Sequence, residues 1–346
     1  MQAPHATKKP FFGTWVLYRV PESCYNTAAR VKDHAAERTS TMNSTRLAAL
    51  SMGGLLYCRA GEAERILQSG CPELTSLALY LRDGLSESEA REEEQEIRRL
   101  LVSVRKAALS RCPMLFVRVG DAKQLMRIHK TLDDEEDLLM GYVLPRFSPE
   151  NADEYLAALE KINSKRKHAL YAMPVLETED IACMLTRKKV LEKLRKKLDA
   201  YKDTVLCLRA GVKSFCSVYG LNPQLTGMYP EVIRNIITDI ISVFSPDYAV
   251  AGGEWGCTGS AESSLNTEKM KSCLVWEREN GLLGGTVLSE SLLEPFFDSM
   301  KVTRTEAEAA KAENREPEAD ASPLLPASSR WAEDILTRAS VFGVTE

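Results

Sequence analysis

ALYAMPVLETEDI, residues 169–181, sets an unbroken apolar run directly before a carboxylate, Glu177. Continuous rather than alternating hydrophobicity is what a strand buried on both faces requires, as in a parallel sheet. The same kind of run recurs upstream at 53–58 (GGLLYC), 76–81 (SLALYL), 114–119 (MLFVRV) and 141–145 (GYVLP). Downstream it recurs at 205–209 (VLCLR), 247–251 (DYAVA) and 285–289 (GTVLS). The segments between, among them 87–107, 149–164, 181–200 and 230–243, carry charged helix-forming patterns. Strands alternating with helices argue for βαβ units. Eight such runs match an α/β fold of the (β/α)8 TIM-barrel kind. An open doubly wound sheet is the alternative that periodicity leaves standing.

The barrel is expected over residues 51–300. Residues 1–50 read as an irregular N-terminal extension and 301–346 as a C-terminal helical extension. Within the latter, 303–314 (TRTEAEAAKAEN) is a charged helix with alanine spacing, and 315–328 (REPEADASPLLPAS) is a Pro- and Ala-rich linker. A last amphipathic helix is expected at 329–340, with Trp331, Ile335 and Leu336 on one face.

Composition narrows the function. The chain has 346 residues, 44% hydrophobic and 27% charged, and a net charge of -4. That balance gives no electrostatic reason to expect nucleic acid or a membrane surface as partner. Nine scattered cysteines with no C-x-x-C pair do not make the thiolate cluster that zinc needs. They suit a reduced, cytoplasmic chain. Residues 1–14 lack the apolar core of a signal peptide, and no apolar run approaches membrane-spanning length. No P-loop pattern occurs. His129 and His168 are expected at the surface. The glycines of 251–259 (AGGEWGCTG) suggest a loop over a pocket, and the basic run 187–197 suggests the solvated face of a barrel helix.

In a barrel, function sits where strands hand over to the following loops. Here those positions are heavily charged: Arg59; Arg82 and Asp83; Arg118; Arg146; Glu177; Arg209, Lys213 and Ser214; Glu254 and Trp255; Ser289 and Glu290. Two unit charges about 4 Å apart repel by ~1 kcal/mol in water and ~4 kcal/mol at an effective dielectric of 20. Such a cluster of arginines needs carboxylates or a bound anion. The guanidinium fork suits carboxylate or phosphate, so Arg118 and Arg82 are candidate holders of a small anionic substrate. The architectural alternative pairs these arginines with Asp83, Glu177 and Glu254. Glu177 is a candidate ligand for a hard cation such as Mg²⁺, or else an acid at the start of the helix near Asp180.

LLYCRA, LYLRDGL, LFVRV, YVLPRF, MPVLETEDI, LRAGVKSFCSVYGL and GLLGGTVLSESLLEP follow one another in a recognisable order, and the chain ends in RWAEDILTRASVFGV. From about residue 50 onward the sequence resembles the citrate-lyase β/HpcH–HpaI aldolase superfamily. Within it, the resemblance is to the carbon–carbon bond lyases of the TIM-barrel fold found in stress- and tellurite-resistance gene clusters. The resemblance implies Mg²⁺-assisted making or breaking of a carbon–carbon bond beside a carboxylate, on an oxo acid or a CoA thioester. It also implies a homo-oligomer, a trimer or hexamer. Arg118 matches the family's substrate-carboxylate arginine, Glu177 the metal-binding glutamate of P-x-x-E-T, and Asp83 one acid of the strand-two pair. Arg146 stands where that branch has a lysine. Trp255, a candidate substrate contact, belongs to a reversed W-E pair, and Glu254 beside it is a candidate second metal ligand.

The sequence departs from the family at Arg82 in the acid pair, at Glu62 where an arginine is usual, and at 289–292 where H-P-S-Q is usual. Ser214 falls where a second metal carboxylate is usual, with Lys213 beside it. Two readings follow: a lyase using Arg118, Asp83 and Glu177, or a diverged barrel that binds an anion or organises an assembly without lyase chemistry.

Overall fold

The computed structural model describes residues 44–82, 84–107, 109, 111–222, 228–256, 264–313 and 329–346. In chain order, α1 (Ser44–Ser51) precedes β1 (Gly54–Cys58), α2 (Ala60–Ser69), β2 (Ser76–Tyr80), α3 (Glu87–Ala107), β3 (Met114–Arg118), α4 (Ala122–Leu132), β4 (Leu139–Leu144), α5 (Ala152–Asn163) and β5 (Tyr171–Leu176). The second half runs α6 (Glu179–Ala182), α7 (Met184–Asp199), β6 (Leu208–Ala210), α8 (Val212–Val218), α9 (Glu231–Phe244), β7 (Val250–Ala251), β8 (Glu254–Trp255), α10 (Ser264–Glu279) and β9 (Gly285–Val287). Then come α11 (Leu293–Met300), β10 (Val302–Thr303), α12 (Arg304–Glu313), α13 (Ser329–Phe342) and β11 (Val344–Thr345).

The strands pair in parallel in the order β7-β6-β5-β4-β3-β2-β1-β9-β8. The ring closes through strand seven, which is broken in two. Its first half pairs with β6 (Leu208↔Val250) and its second half with β9 (Glu254↔Thr286). At the break, Gly252 N–H donates to the Gly284 carbonyl at 2.6 Å and Thr286 N–H to the Gly253 carbonyl at 2.9 Å. β1 joins β2 on one side and β9 on the other. The fold is therefore the TIM barrel, and the open sheet falls away.

Two apolar layers hold it. Residues facing outward, such as Leu56, Leu77, Leu79, Leu115 and Val117, pack against the helices. Residues facing inward, Leu55, Ala78, Phe116, Val143, Met173, Val175 and Cys207, fill the barrel. The two sets alternate along each strand because strand side chains have a period of two. Ala49 and Leu50 of α1 join the inner set. The last residues of the expected irregular extension are thus a helix, formed because its apolar face plugs one end of the barrel; residues 1–43 lie outside the described ones.

The helix expected at 181–200 is interrupted at Cys183, which joins α6 to α7 in an extended conformation. At the C-terminus, Ala332 and Ile335 pack on Val302, Ala307 and Ala310. Trp331, expected on that face, is 45% exposed instead. The linker 315–328 lies outside the described residues.

Candidate active site at the strand ends

The inward period carries chemistry once it passes the apolar layer. Two residues beyond Leu55, Phe116, Val175 and Cys207 stand Tyr57, Arg118, Glu177 and Arg209. The Tyr57 hydroxyl marks where they converge. Its surroundings push it up to about 12 through loss of hydration, while Arg209, Arg118, Glu254 and Glu177 all act on it electrostatically. Tyr155, on α5, feels Asp121, Arg118, Arg146 and Glu177 in the same way. Its hydroxyl donates to the Gly120 carbonyl at 3.0 Å. Arg118 and Glu177, 59 residues apart in sequence, therefore share one end of the barrel.

Glu177 is held at both oxygens. Oε1 accepts the Arg146 N–H at 2.8 Å, and Oε2 accepts the Ser214 hydroxyl at 2.9 Å. Arg146 reaches this geometry at φ 47°, in the left-handed region that a β-carbon disfavours. Strained backbone of this kind persists where surrounding structure over-determines it. Gly211 is equally forced: a β-carbon there would lie 2.3 Å from that of Glu177. The helix-start reading of Glu177 is overturned, because Thr178 occupies the N-cap of α6 and the Glu177 oxygens are engaged elsewhere.

Glu254 lies across the same mouth, its Oε2 accepting the Lys213 N–H at 3.1 Å. Loss of hydration pushes its carboxyl up to about 7; the Lys213 amide opposes this, the Glu177 charge adds to it, and the Lys213 charge opposes it again. The Lys213 ammonium is turned to the Gly256 carbonyl at 2.5 Å.

The remaining expected residues are placed differently. Arg82 pairs with the buried Glu93 of α3, its Nε 2.6 Å from Oε1, and Arg59 shares that oxygen at 3.2 Å. Trp255 does not face the mouth. Because Glu254 points inward, its neighbour must point outward, and the indole stacks on Tyr229 at 5.4 Å in the helix-side core. This corrects the placement of Trp255 beside a substrate. Asp83 and residues 257–259 of the glycine-rich stretch lie outside the described residues. Glu290 pairs with Arg65 at 2.7 Å. Within the basic run, Arg187 is buried and paired with Asp239 at 2.6 Å rather than solvated. His129 is only partly exposed, with Nδ1 2.8 Å from the buried Glu136. Tyr57 was not singled out in the sequence, and the buried Arg209 was named only among the strand-end charges, with no role. The two-residue period inside LLYC and LCLR was the signal for both.

Of residues that could hold a metal, Glu177 and Glu254 accept hydrogen bonds from the adjacent residues Ser214 and Lys213. No group of three or more His, Cys, Asp or Glu is arranged to hold a metal ion among the described residues. Mg²⁺ is commonly held by one or two carboxylates, with waters and substrate oxygens completing its shell. Each Glu177 oxygen keeps a lone pair beyond its present hydrogen bond. The donor set fits that sparse mode of binding.

Residues 46–344 match the family model described as C-C bond lyase of the TIM-barrel fold. The chain belongs to this family. Among solved structures, a citrate lyase from Burkholderia xenovorans LB400 is similar to this C-C bond lyase family member at TM-score 0.60 and 15% identity, over 85% of this chain and 93% of that one. Protein CitE from Mycobacterium tuberculosis, in complex with magnesium, acetoacetate and coenzyme A, gives 0.56 and 16%, over 83% and 97%. RipC from Yersinia pestis gives 0.52 and 11%, over 75% and 99%. At these identities the likeness is one of fold. No curated protein matches the sequence. No helix among the described residues is long and apolar enough to cross a membrane.

Proposed function

We propose that this C-C bond lyase family member makes or breaks a carbon–carbon bond beside a carboxylate, on an oxo acid or a CoA thioester, with Mg²⁺ held by Glu177 and Glu254. The observation that carries the reading is the convergence of Arg118 and Glu177 on the Tyr57 hydroxyl. A guanidinium fork and a carboxylate that both act on one neutral hydroxyl at the barrel's end suit a ligand bearing a carboxylate and an oxo group. The ligands of the CitE complex, magnesium, acetoacetate and coenzyme A, are of this class.

In this reading Arg118 anchors the substrate carboxylate. Arg146 and Ser214 hold Glu177 in place. Tyr57 stays protonated at neutral pH and donates to a substrate oxygen. Bound Mg²⁺ would supply Lewis-acid polarisation of the oxo group. Asp83 is the candidate acid from the strand-two loop. Arg82 stays paired with Glu93 and offers its remaining donors to a distal anionic group of the substrate. A cytoplasmic homo-oligomer belongs to the same proposal.

One observation favours the second reading, a barrel that binds an anion without lyase chemistry. Ser214 donates a hydrogen bond to Glu177 where the family resemblance leads one to expect a second carboxylate. That exchange removes a negative charge from the cation site and weakens it.

Calorimetric titration with Mg²⁺, alone and with oxaloacetate or acetyl-CoA, separates the two. The lyase reading expects binding that Glu177→Gln abolishes. Anion binding with no divalent-ion binding under any ligand condition would leave only the second reading.

A further inference from the structure

The break in strand seven has a fastening of its own. From α10, Glu277 Oε1 accepts the Gly253 N–H at 3.0 Å and the Tyr229 hydroxyl at 2.6 Å. The carboxylate lies so close to Gly252 that a β-carbon there would meet its oxygens at 2.2 and 2.3 Å. A β-carbon on Gly253 would meet the Tyr229 oxygen at 2.5 Å. Both glycines are therefore required by the fit. Tyr229 also stacks on Trp255. The residues on both sides of Glu254 are thus gripped, one by its amide and the other by its ring.

This is a costly way to fasten a strand. Glu277 is buried, and its Oε2 has no hydrogen-bond partner among the described residues. An unsatisfied buried carboxylate disfavours the folded state. A contact serving packing alone would be made more favourably by an apolar side chain. What the acid adds is an acceptor at the one amide that sets the direction of Glu254.

We infer that Glu277 is a positioning residue: with Tyr229 it fixes the Gly252–Gly253 break so that the Glu254 carboxylate projects into the mouth towards Glu177. The inference rests on the reading of Glu254 as a cation ligand. Groups that orient metal ligands typically change metal affinity by 10–100-fold when removed.

The test is Mg²⁺ calorimetry on the full chain in wild type, Glu277→Gln, Glu277→Ala and Tyr229→Phe, with hydrogen exchange followed over residues 252–255. Glu277→Ala is expected to weaken Mg²⁺ about tenfold or more, while Glu277→Gln, which keeps an acceptor, stays within about twofold. Wild-type affinity in the alanine variant overturns the inference, as does an equal loss in both variants. Should the alanine variant fail to fold, Tyr229→Phe decides: a loss of about threefold is expected, and unchanged affinity overturns it. If wild type binds no Mg²⁺, the metal reading falls and exchange decides the positioning role. Faster exchange in Glu277→Ala with protection kept in Glu277→Gln supports it, and unchanged exchange in Glu277→Ala defeats it.

Discussion

The barrel buries glutamates in two regions and treats them in opposite ways. Before β4, at the end remote from the mouth, Glu136 is fully buried and surrounded by donors: His129 Nδ1 at 2.8 Å, Arg166 at 2.7 Å and the Tyr142 hydroxyl. Around strand seven, Glu254 at the mouth and Glu277 behind the break have too few donors for their enclosure, and each is pushed up to about 7 by loss of hydration. The first arrangement is a closed network whose members satisfy one another. The second stores electrostatic cost, and a cation held by Glu254 would relieve the part of it that lies at the mouth. The contrast teaches where this fold spends polarity on architecture and where it spends it on a site.

The largest effect expected tests the closed network. Glu136→Ala takes the acceptor from the buried Tyr142 hydroxyl and from one Arg166 nitrogen, leaving Arg166 its pair with the exposed Asp137, and should destabilise by about 3 kcal/mol in urea unfolding. A loss near zero would remove the contrast. Glu177→Gln should do the reverse, leaving the urea midpoint nearly unchanged while abolishing measurable Mg²⁺ binding.

Next in size is a pH effect at Glu277, which faces Tyr229, Glu254 and Arg209. Its folded value, about 7, lies above the ordinary carboxylate value of 4.5, so the folded state holds the proton more tightly. Stability should fall as pH rises between those two values and level off above the higher. Glu277→Gln should flatten that fall and be the more stable protein above pH 7, as read from melting temperatures across pH. A wild-type curve flat over this window would show Glu277 to be as well satisfied as the Glu136 network.

The smallest effect sharpens the mouth itself. Ser214→Asp places a second carboxylate beside Glu177 and should strengthen Mg²⁺ binding by about tenfold, or ~1.4 kcal/mol, at a small cost in melting temperature. No gain would mean that the Ser214 hydroxyl does not lie where a cation binds.

Much of this was legible in the sequence. Apolar runs marked the strands because both faces of each are buried, and the strand order followed from their alternation with helices. Glu177 and Arg118 stood out because a charge directly after a buried run must emerge at the barrel's end. Other members did not stand out, each for a physical reason. Trp255 was placed on the wrong face because the two-residue period must be counted through the Gly252–Gly253 break. Glu93 and Glu277 sit in helices where one more acid carries no signal, and only packing brings them to Arg82 and to the broken strand. The helix at Ser44–Ser51 was hidden because its eight residues owe their order to the barrel end they cover.

The central claim is that Arg118 and Glu177 bracket a single site for a cation and an oxo acid. A crystal structure grown with Mg²⁺ and oxaloacetate tests it most directly. The expected result is a metal held by Glu177 and Glu254, with the substrate carboxylate on the Arg118 guanidinium. Oxaloacetate bound away from Arg118, or a metal held by neither glutamate, would contradict it.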